Sequence, residues 1–141
     1  MDKEHTVREK SYRFAIRIVK LYVWLKEQHH YELSSQVLRA GTSIGPNIEE
    51  AAASHSKKEF FHKMGISSKE ARETHYWLRL LRDSGILTQK QTSDLINDAE
   101  ELIKMLTSIV KTGRSNLRQL ITQNYCIGIS QDSYGFCQNG T

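Results

Sequence analysis

The sequence predicts an all-α fold, an antiparallel four-helix bundle in up-down-up-down order, and three observations carry that expectation. Pro46 is the sole proline in 141 residues. Four long stretches place apolar residues at helical spacing, and the breaks between them are short and polar. Short links between long amphipathic helices favour antiparallel neighbours. A chain of this length fits one domain, read here as residues 1–120, with a tail at 121–141.

The first segment runs from about Thr6 to Gln28. Phe14, Ile18, Leu21 and Leu25 recur at helical spacing and form a core-facing stripe. Tyr12, Ile16, Val19 and Val23 form a second stripe, read as lying beside the first. One bundle covers one such stripe, so the second is expected to meet another subunit. The alternative is a helix central to a monomer.

The second segment, about Leu33 to Ser54, aligns Leu33, Val37, Ala40, Ile44, Ile48 and Ala51. Ser34, Gly41, Gly45 and Ala52 form a row of small residues that lets another helix approach closely. Pro46 lacks a backbone donor and crowds the preceding turn, so a kink or break is expected near residues 42–45, with the helix continuing beyond it. The third segment, roughly Lys57 to Ser84, turns Phe60, Met64, Ser67, Ala71, Thr74, Leu78 and Leu81 inward, and Gly85 suits its stop. Tyr76, Trp77 and Leu80 fall off that stripe and read as a second subunit contact.

Thr88 suits the N-cap of the fourth segment. It aligns Leu95, Ala99, Leu102, Leu106, Ile109 and Gly113, flanked by Ile103 and Val110, and ends near Leu120. Beyond Thr122 the periodicity stops among Ser, Gly, Asn and Gln, which reads as a disordered tail. Cys126 and Cys137 both fall there and read as free thiols.

Residues 35–50, SQVLRAGTSIGPNIEE, followed by SKKEFFHKMGISSKEARETHYWLRLLRDSGIL, resemble the bacterial four-helix bundle family of proteins encoded by intervening sequences within 23S ribosomal RNA genes. The accessory variability determinant of diversity-generating retroelements looks like a relative. The resemblance spans roughly Tyr12 to Leu120 and is most specific at Arg39, Ala40, Thr42, Ser43, Ile44, Asn47, Ile48 and Glu50. It implies a homopentamer shaped as a barrel with a central channel, basic surfaces, and a role in nucleic-acid binding. The retroelement relatives also contact a reverse transcriptase.

Twenty Lys and Arg against sixteen Asp and Glu give a net charge of +4, which permits a polyanionic partner. Lys10, Arg13, Arg17, Lys20 and Trp24 share an arc of about 80° on the first helix, read as opposite its apolar stripes. Cations beside an aromatic suit phosphates and an exposed base. Against that stands a solvated face with Trp24 at a subunit boundary. Lys104, Lys111, Arg114 and Arg118 form a second basic stripe on the fourth helix, and a ring of subunits would repeat either one. RNA or DNA held without strong sequence specificity is the leading expectation, because phosphate contacts do not read bases. A scaffold that recruits a protein through Trp77 or the tail is the alternative.

Arg39, Ser43, Asn47 and Glu50 line one face of the second helix. A structural network is expected there: Arg39 paired with a carboxylate, and Ser43 and Asn47 serving backbone groups released by Pro46. His55, Glu59 and His62 mimic ligand spacing but straddle a helix junction and lack the HExxH order, so no metal is expected. Glu70, Glu73 and His75 beside Arg72 lack a nucleophile or an oxyanion stabiliser; ion pairs such as Lys69 with Glu73 are the ordinary account. No phosphate loop or nucleophile elbow occurs, so neither enzyme activity nor a cofactor is expected. No stretch is apolar for the roughly 20 residues of a membrane span, and residues 1–10 are polar, so a cytoplasmic protein that avoids membranes is expected.

Overall fold

The structure is a computed structural model that describes the backbone of residues 3–131 and the side chains of residues 6–119 apart from residue 117. It is an all-α four-helix bundle, with no strand among the described residues. Helix α1 spans Lys3–Glu27, α2 Tyr31–Ala52, α3 Lys57–Asp83 and α4 Gln89–Gln131. Each helix packs on its neighbour in sequence, and α1 packs on α4 to close the bundle; among the described residues the backbones of the diagonal pairs α1/α3 and α2/α4 do not approach closely.

The core follows the helical spacing. Phe14, Ile18 and Leu25 of α1 are buried with Val37, Ile44 and Ile48 of α2, Met64, Leu78 and Leu81 of α3, and Leu95, Leu102 and Leu106 of α4. Leu21, Leu33, Phe60 and Ile109 pack at its margin. Val7, Leu87 and Ile96 are buried as well.

Helix ends obey local chemistry. Ser56 caps α3, its Oγ accepting from the Glu59 amide at 3.1 Å. Thr88 caps α4 as expected: its Oγ1 accepts from the Gln91 amide at 3.2 Å, and its own amide donates to Gln91 Oε1 at 2.9 Å, a reciprocal capping box. Gly85 stops α3 at φ +79°, with the Ile86 amide reaching back to the Leu81 carbonyl. Helix α1 ends in the same way at His29, φ +66°, with the His30 amide bonded to the Leu25 carbonyl. A left-handed residue other than glycine carries a steric cost; here His29 Nδ1 lies 2.7 Å from the Tyr31 hydroxyl.

Helix α2 continues through Pro46, as its expected span requires, and no break ends it near residues 42–45. Other expectations change. Helix α4 runs to Gln131, past Leu120, since no proline interrupts it. Residues 132–141, with Cys137, and the side chain of Cys126 lie outside the described residues, so the readings made there do too. Of the row of small residues, Gly41 takes part in close packing: a Cβ there would stand 2.8 Å from two carbons of buried Ile18.

The two stripes of α1 are on opposite sides of the helix, not adjacent. At 100° per residue, Tyr12, Ile16, Val19 and Val23 fall about 160° from the Phe14–Leu25 stripe. They are accordingly exposed, Tyr12 at 69%, Ile16 at 43%, Val19 at 45% and Val23 at 49%. On α3, Tyr76 and Leu80 are exposed too, whereas Trp77 lies against the core and its indole N–H donates to Glu73 Oε1 at 3.3 Å. Trp77 is thus half-buried, packing on the core with one side of its ring.

Candidate nucleic-acid interface

The basic arc of α1 borders the α4 seam: Arg13 and Lys20 are exposed, and Lys10 and Arg17 are half-buried. The same 100° rotation places Lys10, Arg13, Arg17, Lys20 and Trp24 on the flank of the core stripe, where α4 supplies carboxylates. Lys10 pairs with Glu101 and Arg17 with Asp98, while Arg13 Nη2 bonds Glu9 Oε1 at 2.9 Å within α1. Lys20 remains exposed, and Trp24 packs against the core. A cation with a carboxylate beside it attracts a phosphate less, because the neighbouring negative charge offsets its field. The expectation of a wholly free basic stripe is corrected here: α4 carboxylates take up two of its four cations, Lys10 and Arg17, and Trp24 is half-buried against the core edge.

On α4 the basic stripe is opposite the core. Lys104, Lys111, Arg114 and Arg118 are all exposed, and the first three have no ion-pair partner among the described residues. Across the α3/α4 seam they are joined by cations of α3. Arg72 and Arg79 line one hollow with Lys104. Lys57, Lys58, Lys69 and Arg114 rim a second hollow nearer the start of α3. Glu100 is the acid in the first hollow and lies 3.2 Å from His75 Nε2; among the described residues, no carboxylate lines the second.

The second hollow is a groove of about 360 Å³. Phe61, Ile66 and Val110 contribute apolar walls and Gly113 part of the floor. Glycine is required at 113, since a Cβ would collide with the Phe61 ring. Gly65 is different: a Cβ there meets nothing within 4 Å, so this mid-helix glycine opens onto empty space in the groove. Sequence reasoning missed this site, having paired Lys69 with Glu73. Glycine inside a helix costs about 1 kcal/mol relative to alanine, and Gly65 between Lys58 and Lys69 was the signal that could have exposed it.

The row on α2 resolves into separate contacts. Arg39 pairs with Glu73, and its Nη1 lies 3.6 Å from Glu70 Oε2. Ser43 Oγ donates to the Arg39 carbonyl at 2.5 Å, and Asn47 Nδ2 to the Ser43 carbonyl at 2.7 Å. These serve the turn before Pro46, although the carbonyl that the proline orphans is that of Thr42. Glu50 pairs elsewhere, with Lys63 at 2.8 Å, so a single buried network of four does not form. Glu70 Oε2 is buried without a hydrogen bond. Burial, then the neighbouring Glu73 charge, pushes its carboxyl above the usual carboxylate range, and Arg39 opposes them.

The remaining constellations disperse. Glu59 binds the His55 amide through Oε2 at 3.3 Å as part of the α3 cap. No group of three or more His, Cys, Asp or Glu among the described residues could hold a metal ion. Glu73 turns to Arg39, His75 to Glu100, and Arg72 to the Thr107 hydroxyl at 3.1 Å. No described helix is long and apolar enough to cross a membrane.

Comparison with known proteins agrees with the resemblance on helical segments and sharpens it. The family model described as 23S rRNA-intervening sequence protein matches residues 3–108. Among solved structures, a protein of unknown function from the S23 ribosomal protein family of Bacteroides thetaiotaomicron VPI-5482 shares 46% identity. The match covers 78% of this chain and 99% of that one, with a TM-score of 0.75. No curated protein matches.

Proposed function

Since the chain belongs to the 23S rRNA-intervening sequence protein family, we propose that it is a non-enzymatic, cytoplasmic bundle that forms a homo-oligomeric ring and holds RNA or DNA on repeated basic faces without sequence specificity. The observation that carries this reading is the α3/α4 seam, where Lys104, Lys111 and Arg114 stand exposed beside α3 cations with few carboxylates between them. Such a surface attracts phosphates by charge and counterion release. Arg118, on the same stripe, extends it.

Two arrangements support the assembly. The antiparallel up-down-up-down order is favoured by partner numbering, which runs in opposite directions along adjacent helices: Arg8 with Glu49 but Ile18 beside Gly41, and Lys63 with Glu50 but Arg39 with Glu73. The exposed apolar faces, Tyr12 to Val23 on α1 and Tyr76 with Leu80 on α3, sit on helices that lie diagonally across the bundle. Two unlike patches on one subunit suit a head-to-tail contact, which closes into a ring when the rotation allows. Five subunits are proposed from the resemblance.

A protein-interaction scaffold is the second reading, favoured by the exposure of Tyr76 and Leu80, which a different protein could cover. Light scattering separates the two, because a monomer leaves both faces open for a foreign partner. Function is tested by titrating the protein with labelled RNA and duplex DNA across a salt series, beside Lys104/Lys111/Arg114→Ala. Binding should weaken steeply with salt, and the slope should shrink by roughly one for each phosphate contact removed. An assembled protein that binds neither at low salt would overturn the reading.

A further inference from the structure

The groove between α3 and α4 combines two chemistries that a phosphate surface alone does not need. Its rim is cationic: Lys57, Lys58, Lys69 and Arg114. Its interior is apolar, built by Phe61, Ile66 and Val110, with open space above Gly65. A partner that satisfies both carries negative charges flanking a flat, weakly polar body. Duplex nucleic acid keeps its bases stacked inside and presents mainly phosphates to such a rim, leaving the apolar interior unfilled. A single strand can turn a base outward and stack it on an aromatic side chain while cations hold its backbone.

We infer that this groove is a single-strand site: one base splayed from an RNA or DNA strand enters against Phe61, Ile66 and Val110, and Lys57, Lys58, Lys69 and Arg114 hold the flanking phosphates. The inference rests on the nucleic-acid reading and adds the strandedness of the ligand and the place where its base is held. A volume of about 360 Å³ lies at the lower end of the range for small-ligand pockets, suited to a single ring system and not to a duplex. In a homo-oligomer each subunit would repeat the slot, so a long strand could occupy several in turn.

Gly65 supplies the decisive variant. Gly65→Leu fills the groove from its own floor; a Cβ there meets nothing within 4 Å, and leucine is a better helix former than glycine. The variant should therefore fold and assemble, which far-UV circular dichroism and light scattering verify. Fluorescence anisotropy on the full chain then compares labelled oligo-uridylate, the same length of strand with abasic sites, and a duplex, with polyglutamate as a competitor. Wild type should bind oligo-uridylate about tenfold more tightly than either the abasic strand or the duplex, the scale of one stacked base. Gly65→Leu should lose that preference and keep its duplex affinity.

Equal binding of oligo-uridylate by wild type and Gly65→Leu would overturn the single-strand slot while leaving non-specific binding in place. Equal binding of the abasic strand, or equal competition by polyglutamate, would also overturn it, since charge alone would then explain the affinity. Failure of every nucleic acid to bind at low salt would overturn both this inference and the reading beneath it.

Discussion

Helix α4 has two seams, and they treat charge in opposite ways. Against α1, its Asp98 and Glu101 meet Arg17 and Lys10, so cations that look like a binding stripe are spent within the fold. Against α3, cations gather on both sides; among the described residues Glu100 is the acid in one hollow and no carboxylate lines the other. The difference teaches that a basic face is a property of two helices. The cations on one helix matter less than the carboxylates its neighbour aims at them.

Removing cations from the open seam should produce the largest effect. Lys58/Lys69/Arg114→Ala should weaken single-strand binding on the order of a hundredfold at moderate salt and lower the salt slope by about three; anisotropy titrations at several salt concentrations measure both. Converting the closed seam into an open one comes next. Asp98→Asn with Glu101→Gln frees Arg17 and Lys10, and should raise non-specific affinity roughly tenfold at low salt. Unchanged affinity there would break the comparison, because it would mean that the α1 cations face no ligand even when unpaired.

Arg17→Ala should touch stability and leave binding alone. Its pair with Asp98 is about two-fifths exposed on each side, so chemical denaturation should register a loss of less than about 1 kcal/mol. The smallest effect belongs to a third seam, between α2 and α3, where Glu70 is poorly matched. Its carboxyl is raised by burial and by Glu73. A raised acid contributes stability that is full below its unfolded-state value, about pH 4, and is lost as pH rises through its folded-state value. Glu70→Gln should therefore gain a few tenths of a kcal/mol at neutral pH and flatten that part of the profile, as thermal melts from pH 4 to 7 would show. Glu49 contributes in the opposite sense: the hydrogen bond from Arg8 holds it low, outweighing burial, so its small contribution is present at neutral pH and lost on acidification.

Most of the bundle was legible because helical periodicity is local. The Val37 to Ala51 row and the Met64 to Leu81 row are buried as their spacing requires, and Thr88 announced its own cap. What failed was angular. Tyr12 to Val23 and the Lys10 to Lys20 arc were assigned to the wrong sides of α1, although the same 100° per residue places the first opposite the core and the second on its flank. The pairing of Lys10 with Glu101 joins residues on the first and last helices, so no single window of sequence contains it. Trp24 and Trp77 are half-buried for a related reason: a wide aromatic at the edge of an apolar stripe reaches the core that a smaller residue would miss. The α3/α4 groove was invisible because its walls come from two helices, and its clearest mark is the absence of a side chain at Gly65.

The way the bundle closes also bears on how it folds. Three of its four seams join helices adjacent in the chain; the fourth, α1 on α4, is the slimmest and joins the most distant segments. Neighbouring helices can dock early with short loops to close, whereas the α1/α4 seam must gather the whole chain and is expected to form late. Weakening it by Arg17→Ala should thus speed unfolding and hardly slow refolding, so that the charge-matched seam governs how long the native state lasts more than how quickly it is reached.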